Sequence, residues 1–246
     1  MTTKTALVTG ASRGIGAAVA RVLGGAGYKV LVNARAPNAG ADSLVERIRN
    51  DGGSAELIAF DVCQRGSVSS ALERHRIESL DVLVNNAGVL RDNLVLATSD
   101  EDWGAVLKTN FVGAINTLAA CLPVLGRAGN STVVNIASIS GLRGGKGQAS
   151  YATSKAMMIE WTKRLGGRAA DGIRYFAVSP GPVETEMIKA SPFYQDPRAK
   201  KAVPAHRFAD PSEIGRLVLF LVTSGSALKN GYNWVADGGF TLSPKA

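Results

Sequence analysis

Short apolar segments rich in Val and Ile recur along this chain, and stretches with helical spacing fill the intervals between them. A chain patterned this way builds a parallel sheet, because parallel neighbours need a crossover and a helix makes one compactly. The strand candidates are Thr5 to Thr9, Lys29 to Asn33, Ala55 to Phe60, Val82 to Asn85, Thr132 to Ala137, Arg174 to Val178 and a last one near Trp234. Each is short enough to be buried on both faces. Helices are predicted at Gly14 to Ala26, Ala41 to Asp51, Ser67 to His75, Asp100 to Leu125, Tyr151 to Ala170 and Ser212 to Leu221. Ser99 before Asp100, Glu101 and Asp102, and Asp210-Pro211 before Ser212 and Glu213, read as helix starts. The expected fold is therefore α/β, a doubly wound parallel sheet of seven strands, and 246 residues suit one domain, 1–246, with one large core.

One stretch resists this pattern. Met187 to Arg207 holds Pro192, Pro197, Pro204 and several charges, with Phe193-Tyr194 exposed by expectation. A long irregular insertion in a compact domain reads as a lid or binding loop.

Composition excludes several classes. With 46% hydrophobic and 20% charged residues the chain is neither disordered nor membrane-like in bulk. Its apolar runs stay short of the ~18 residues of a spanning helix, and no secretion signal follows Met1 to Lys4, so a cytoplasmic protein is expected. Cys63 and Cys121 lack metal-ligand spacing or a nearby His and are expected to be buried thiols, with no metal site. The net charge of +8 suits anionic partners, but its basic residues are scattered and accompany no nucleic-acid motif. Phosphate-bearing cofactors and acidic carrier proteins fit it better than nucleic acid.

Directly after the first strand stands Thr9-Gly10-Ala11-Ser12-Arg13-Gly14-Ile15-Gly16, opening a helix. Glycines there let the backbone approach a pyrophosphate, and the helix N-terminus offers free N–H donors. Alone, such a turn serves equally as a tight strand-to-helix connection. The second strand ends at Asn33-Ala34-Arg35, where a fold preferring NAD places an acid on the ribose 2′-hydroxyl. Arg35, with Arg13 and Ser12, suits a 2′-phosphate instead, which makes NADPH the expected cofactor. The alternative leaves Arg35 a solvated loop residue.

Tyr151 and Lys155 stand four residues apart, on one face of a helix. A cation beside a phenol lowers the tyrosine pKa toward neutrality, preparing it as acid or base. Ser138, thirteen positions earlier at a strand end, can donate to a carbonyl oxygen where charge develops. A Tyr-x-x-x-Lys match is common by chance, and the order of all the motifs is what carries weight. Thr9 to Gly16, Asp61-Val62, Asn85-Asn86-Ala87-Gly88, Asn110, Ser138, Tyr151, Lys155 and Pro180-Gly181-Pro182-Val183-Glu184-Thr185 follow one another along nearly the full chain.

This series resembles the short-chain dehydrogenase/reductase family, whose fold is Rossmann-like. The resemblance implies that Asp61 and Val62 border the adenine, that Asn86, Ala87 and Gly88 line the cofactor near its ribose, and that Pro180, Gly181, Val183 and Thr185 hold the nicotinamide end. It implies Ser138, Tyr151 and Lys155 as the catalytic set, with Lys155 also on the nicotinamide ribose. Asn110 would anchor a water and Lys155 in a proton relay.

Leu90-Arg91-Asp92-Asn93-Leu94, Asn110-Phe111, Gly147-Gln148-Ala149-Ser150-Tyr151, Pro182-Val183-Glu184-Thr185-Glu186-Met187 and Val203-Pro204-Ala205-His206-Arg207-Phe208 are similar to the 3-oxoacyl-[acyl-carrier-protein] reductases. That similarity implies a 3-oxoacyl substrate on an acyl carrier protein and a homotetramer. Its interfaces would be the long helices bearing Trp103 and Trp161 and the segment from Trp234 to Phe240. The chain departs from this branch at two arginines used in carrier docking, where it has Gly129 and Asp171, although Arg127 and Arg168 lie near. It departs again at Phe176 and in a short third helix. Docking of a specialised carrier and reduction of a free carbonyl both remain open. His206 is expected in a lid or an interface, since Tyr151 already fills the acid–base role.

Overall fold

The computed structural model describes residues 3–167, 172–189 and 191–242. Seven strands form one parallel sheet in the order β3-β2-β1-β4-β5-β6-β7. They are β1 (Thr5–Val8), β2 (Lys29–Ala34), β3 (Ser54–Ala59), β4 (Val82–Asn85), β5 (Thr132–Ile136), β6 (Arg174–Pro180) and β7 (Asn233–Ala236). Between them run α1 (Gly14–Gly25), α2 (Ala39–Asn50), α3 (Arg65–Arg74), α4 (Asp100–Leu107), α5 (Gly113–Ala128), α6 (Ser140–Arg143) and α7 (Ala149–Gly166). After β6 come α8 (Glu186–Lys189), α9 (Pro192–Gln195), α10 (Ala199–Ala202) and α11 (Pro211–Thr223). The order reverses between β1 and β4, and that switch point opens a crevice at the carboxyl ends of the strands.

Strand alternation decides which helices cover which face. Ala6, Val8, Val30 and Val32 meet Val19, Leu23, Ile48, Ile214 and Val218 of α1, α2 and α11. Leu7, Leu31 and Leu83 meet Val68, Leu72, Leu118, Cys121 and Leu125 of α3 and α5 on the other face. Burial on both faces holds for the central strands. At the edge, β7 is half-exposed, with Val235 at 45%.

The start signals act as expected at two helices. The Ser99 hydroxyl accepts from Asp102 N at 3.2 Å, and Asp210 with Glu213 forms a capping box behind Pro211. Gly129 closes α5 at φ +74, a left-handed position that strains a residue with a Cβ, which accounts for glycine where the resemblance implies arginine. The nearby Arg127 donates to the Glu78 carbonyl. Residues 168, 170 and 171, hence Arg168, Ala170 and Asp171, lie outside the described residues.

The helix predicted from Asp100 to Leu125 is interrupted. Lys108–Val112 form a π turn, which joins α4 to α5 and turns Asn110 fully inward. Read as one stretch, Asp100–Ala128 is long and apolar enough to cross a membrane, against the expectation of shorter runs. In the fold its inner side, including Thr117, Leu118, Cys121 and Leu125, packs against the sheet. Phe111 and Trp161 meet edge to face at 5.8 Å between this helix and α7, so Trp161 contributes to packing within the chain. Trp103 is half-buried.

Candidate active site

The switch-point crevice is a cleft of about 1310 Å³ running along the carboxyl edge of the sheet. Gly10, Ser12, Arg13, Gly14, Ile15 and Arg35 line it at the β1–β2 end. Gly10 sits at φ +60, and a Cβ there would stand 2.8 Å from Ala87 Cα. Gly16 does not line the cleft. It lets α1 pass close beneath the turn, since a Cβ would lie 2.4 Å from Asn86 Nδ2. Helix α1 has no side-chain cap and no acid in its first turn, so its free N–H groups and positive end face the cleft, an arrangement suited to an anion. Among the described residues neither Arg13 nor Arg35 has an acidic partner. This end fits the phosphates of a dinucleotide.

Three polar residues hold the turn in shape. Buried Asn33 accepts from Gly10 N at 3.2 Å and donates to the carbonyls of Ile58 and Phe60. Thr9 Oγ1 accepts from Asn86 N at 2.9 Å and Ala87 N at 3.1 Å. Asn86 donates its amide to Thr9 O and Gly10 O. Asn86 thus reaches the cleft wall with its amide already engaged. Thr9 and Asn33 were not singled out as site residues by sequence reasoning, because a polar residue at a strand end carries no mark of its partner.

Asp61, Val62, Ala87 and Gly88 line the next portion. The Asp61 carboxylate accepts from Cys63 N at 2.8 Å. Cys63 also lines the cleft and is half-buried, whereas Cys121 is fully buried, which corrects the expectation of two buried thiols. Burial pushes both thiols up, Cys121 to about 12.

Ser138 and Tyr151 both line the cleft, with the Ser138 hydroxyl a hydrogen-bonding neighbour of the phenol. The phenol does not follow the expectation from its neighbour lysine. Burial pushes it up to about 12, and the Ser138 hydrogen bond only partly opposes this. Lys155 is 4% exposed, donates to Ile136 O at 2.8 Å and lies 5.6 Å from the Tyr151 ring centroid. The cost of burying its charge lowers it to about 8. Asn110 is fully buried behind the wall, where it accepts from Val89 N at 2.7 Å and donates to Val89 O and Ser154 Oγ, each at 3.1 Å. Among the described residues no direct bond joins Asn110 to Lys155. Ser154 donates to the Tyr151 carbonyl at 2.7 Å, so Asn110 braces α7 at the turn that carries Tyr151.

A polar chain runs out from Ser138. Ser140 N donates to Ser138 Oγ at 3.1 Å, Ser140 Oγ donates to Gln148 at 3.0 Å, and Gln148 donates to Asp92 at 3.1 Å. Burial raises the Asp92 carboxyl. Pro180, Gly181, Val183 and Thr185 line the β6 side, and Arg143, Lys146, Met187, Phe193 and Phe240 line the end beyond. His206 is not on the cleft wall. In the segment from Met187 to Arg207 three short helices pack Ala199, Val203 and Phe208 into a small core with Tyr194, while Phe193 is 36% exposed. Glu184 ties this segment down through Tyr194 at 3.1 Å and Lys200 at 3.6 Å.

Comparison with known proteins agrees with this geometry. Residues 10–241 match the family model described as enoyl-(acyl carrier protein) reductase. The chain is 36% identical over 242 residues to the 3-oxoacyl-[acyl-carrier-protein] reductase FabG of Escherichia coli K12, covering 97% of this chain and 98% of that protein. It is 34% identical over 245 residues to the FabG of Thermotoga maritima, with 97% and 98% covered. A crystal structure described as a "putative gluconate dehydrogenase" from Agrobacterium tumefaciens superposes with a TM-score of 0.89 at 31% identity, covering 96% of this chain and 95% of that one. Such similarity implies a nicotinamide cofactor, and the glycine turn and uncapped helix fit one. The chain belongs to the short-chain dehydrogenase/reductase family of oxidoreductases.

Proposed function

We propose that the chain reduces a 3-oxoacyl thioester on an acyl carrier protein to the 3-hydroxyacyl product, with NADPH as reductant. The observation that carries this reading is one continuous cleft that joins a glycine turn suited to an anion, with two arginines that lack an acidic partner among the described residues, to Ser138 and Tyr151. The full-length similarity to 3-oxoacyl-[acyl-carrier-protein] reductases supports the substrate. The absence of an acid at Arg35 supports NADPH over NADH.

When bound, NADPH supplies the hydride that the carbonyl carbon accepts. The chain's own residues manage the oxygen. Ser138 donates to it, and Tyr151, held protonated at neutral pH by burial, gives it a proton as charge develops. Lys155, at about 8, exchanges protons near neutrality and returns one to Tyr151. Asn110 keeps α7 in place through Ser154. Gly10, Ser12, Arg13, Gly14, Ile15 and Arg35 hold the phosphates, with Gly16 shaping the turn. Asp61 and Val62 border the adenine, Asn86, Ala87 and Gly88 the ribose, and Pro180, Gly181, Val183 and Thr185 the nicotinamide. On this reading the chain is one domain with 187–207 as its lid, a homotetramer in the cytoplasm.

A second reading keeps the mechanism and changes the substrate to a free alcohol, ketone, sugar, steroid or quinone. The structural likeness to a protein described as a gluconate dehydrogenase favours it. The test is NADPH oxidation with acetoacetyl thioesters on a carrier protein and as free mimics, with NADH as control. Strong preference for the carrier is expected, and indifference to it would overturn the carrier assignment.

A further inference from the structure

The cleft carries cations at both of its ends. The sheet order puts Arg13 and Arg35, which follow β1 and β2, toward one end, and Arg143, Lys146 and Phe240, which follow β5 and β7, toward the other. Ser138 and Tyr151 line the same cleft. The first pair is accounted for by the cofactor. The second has no role in the hydride or proton steps.

Arg143 is a prepared cation. Its guanidinium carbon lies 5.2 Å above the Phe240 ring centroid, and Nη1 donates to Phe240 O at 3.2 Å. These two contacts fix the plane of the group and leave most of its donors free. Among the described residues it has no carboxylate partner, and neither has Lys146, three residues on and exposed. Two acids share this end. Asp92 is engaged by Gln148, and Glu186 stands across the cleft at the start of α8. Apolar groups share this wall with Ser140 and Ser191, with Met187 44% exposed and Phe193 edge-on to Phe240 at 5.9 Å. A chain with an apolar body and an anionic end matches this layout.

We propose that Arg143, assisted by Lys146, is the anion-recognising end of the substrate site, so that the preferred substrate bears a phosphate or carboxylate beyond its carbonyl. The inference rests on the reading that a carbonyl is reduced at Ser138 and Tyr151. Two sources supply the same chemistry: the phosphate of a phosphopantetheine arm, or the carboxylate of a free oxo acid. A partly exposed charge-assisted contact of this kind is worth about tenfold in specificity.

The experiment compares matched pairs on the NADPH-loaded enzyme. One pair is acetoacetyl-4′-phosphopantetheine against acetoacetyl-pantetheine, and the other is a medium-chain oxo acid against its methyl ester. The expected result is a kcat/KM ratio of about tenfold for the anionic member of one pair, falling toward one in the Arg143→Ala/Lys146→Ala double variant. Lys146→Ala alone, whose side chain has no hydrogen bond or ion pair among the described residues, gives a partial fall that any disturbance of Phe240 by removal of Arg143 cannot explain. A preference only in the oxo-acid pair, lost in the variants, supports the anion site and removes the thioester assignment. Ratios of one in the wild type for both pairs, or ratios that the variants leave unchanged, overturn the proposal. If neither pair turns over, calorimetric binding of 4′-phosphopantetheine and of the oxo acid decides. Binding of either that the double variant weakens supports the site, and binding that is absent or unaltered refutes it.

Discussion

Thr9→Val removes one oxygen from the base of the cleft and leaves the side-chain shape almost unchanged. Thr9 is 1% exposed, and among the described residues its Oγ1 is the only acceptor for the N–H groups of Asn86 and Ala87. Val84 O keeps its bond from Thr9 N at 3.0 Å, so the loss falls on those two donors. A stranded buried N–H costs about 1–3 kcal/mol, and both sit in a half-buried loop, so the low half of that range applies to each. The variant is expected to lose about 2–4 kcal/mol. Urea unfolding at matched protein concentration measures this as a lower midpoint with an unchanged slope. Thr9→Ser keeps the oxygen and gives up one methyl, costing about 1 kcal/mol. Asn86, Ala87 and Gly88 line the cleft, so NADPH affinity should fall in the Val variant and hold in the Ser variant. A Val variant within about 0.5 kcal/mol of the wild type, or a Ser variant equally damaged, would refute the argument.

Tyr151→Phe should abolish turnover while NADPH binding, followed by fluorescence, stays close to wild type. It removes the proposed proton donor and little of the proposed cofactor contact, and wild-type rates in that variant would end the mechanism. Arg35→Ala should weaken NADPH much more than NADH in parallel titrations, and equal losses would show that Arg35 does not read the 2′-phosphate. The pH profile turns on Lys155. The reductive rate should fall as pH rises through about 8, where Lys155 loses its charge, while Tyr151, at about 12, keeps its proton throughout. Stability runs the other way. The folded-state value lies below the ordinary 10.5, so charge burial costs stability below pH 8 and is relieved between about 8 and 10.5. Lys155→Met should therefore gain on the wild type at pH 7, with the gap closing near pH 10.5 in urea titrations. A gap independent of pH would falsify the assignment.

The strand rhythm and the glycine turn were legible because they rest on local chemistry. Short apolar segments separated by helical stretches read as strands of a parallel sheet, and all seven appear. Ser99 and Asp210 act on N–H groups two or three residues away, so their caps were legible too. What sequence reasoning missed depends on distant partners. Asn33 meets Phe60 across a strand pair, and Arg143 meets Phe240 ninety-seven residues away. The direction of the Tyr151 shift was misread for the same reason. The spacing to Lys155 is visible in the chain, but the burial that outweighs it is a property of the packed fold. The π turn leaves no compositional trace, since Lys-Thr-Asn-Phe-Val suits a regular helix equally well.

That turn has a further meaning. A π turn holds one residue more than the regular helix it replaces, so the helix before it is out of phase with the helix after it by about 100°. Asp100–Leu107 and Gly113–Ala128 therefore carry two independent angular frames on nearly one axis. Deleting a single residue between Lys108 and Val112 would merge the frames into a continuous α-helix with better backbone hydrogen bonding. It would also swing one half's side chains a quarter-turn around the axis and draw Asn110 out of the wall behind Ser154. The extra residue works as a mechanical offset, exchanging some helical regularity for a polar anchor behind the turn that bears Tyr151.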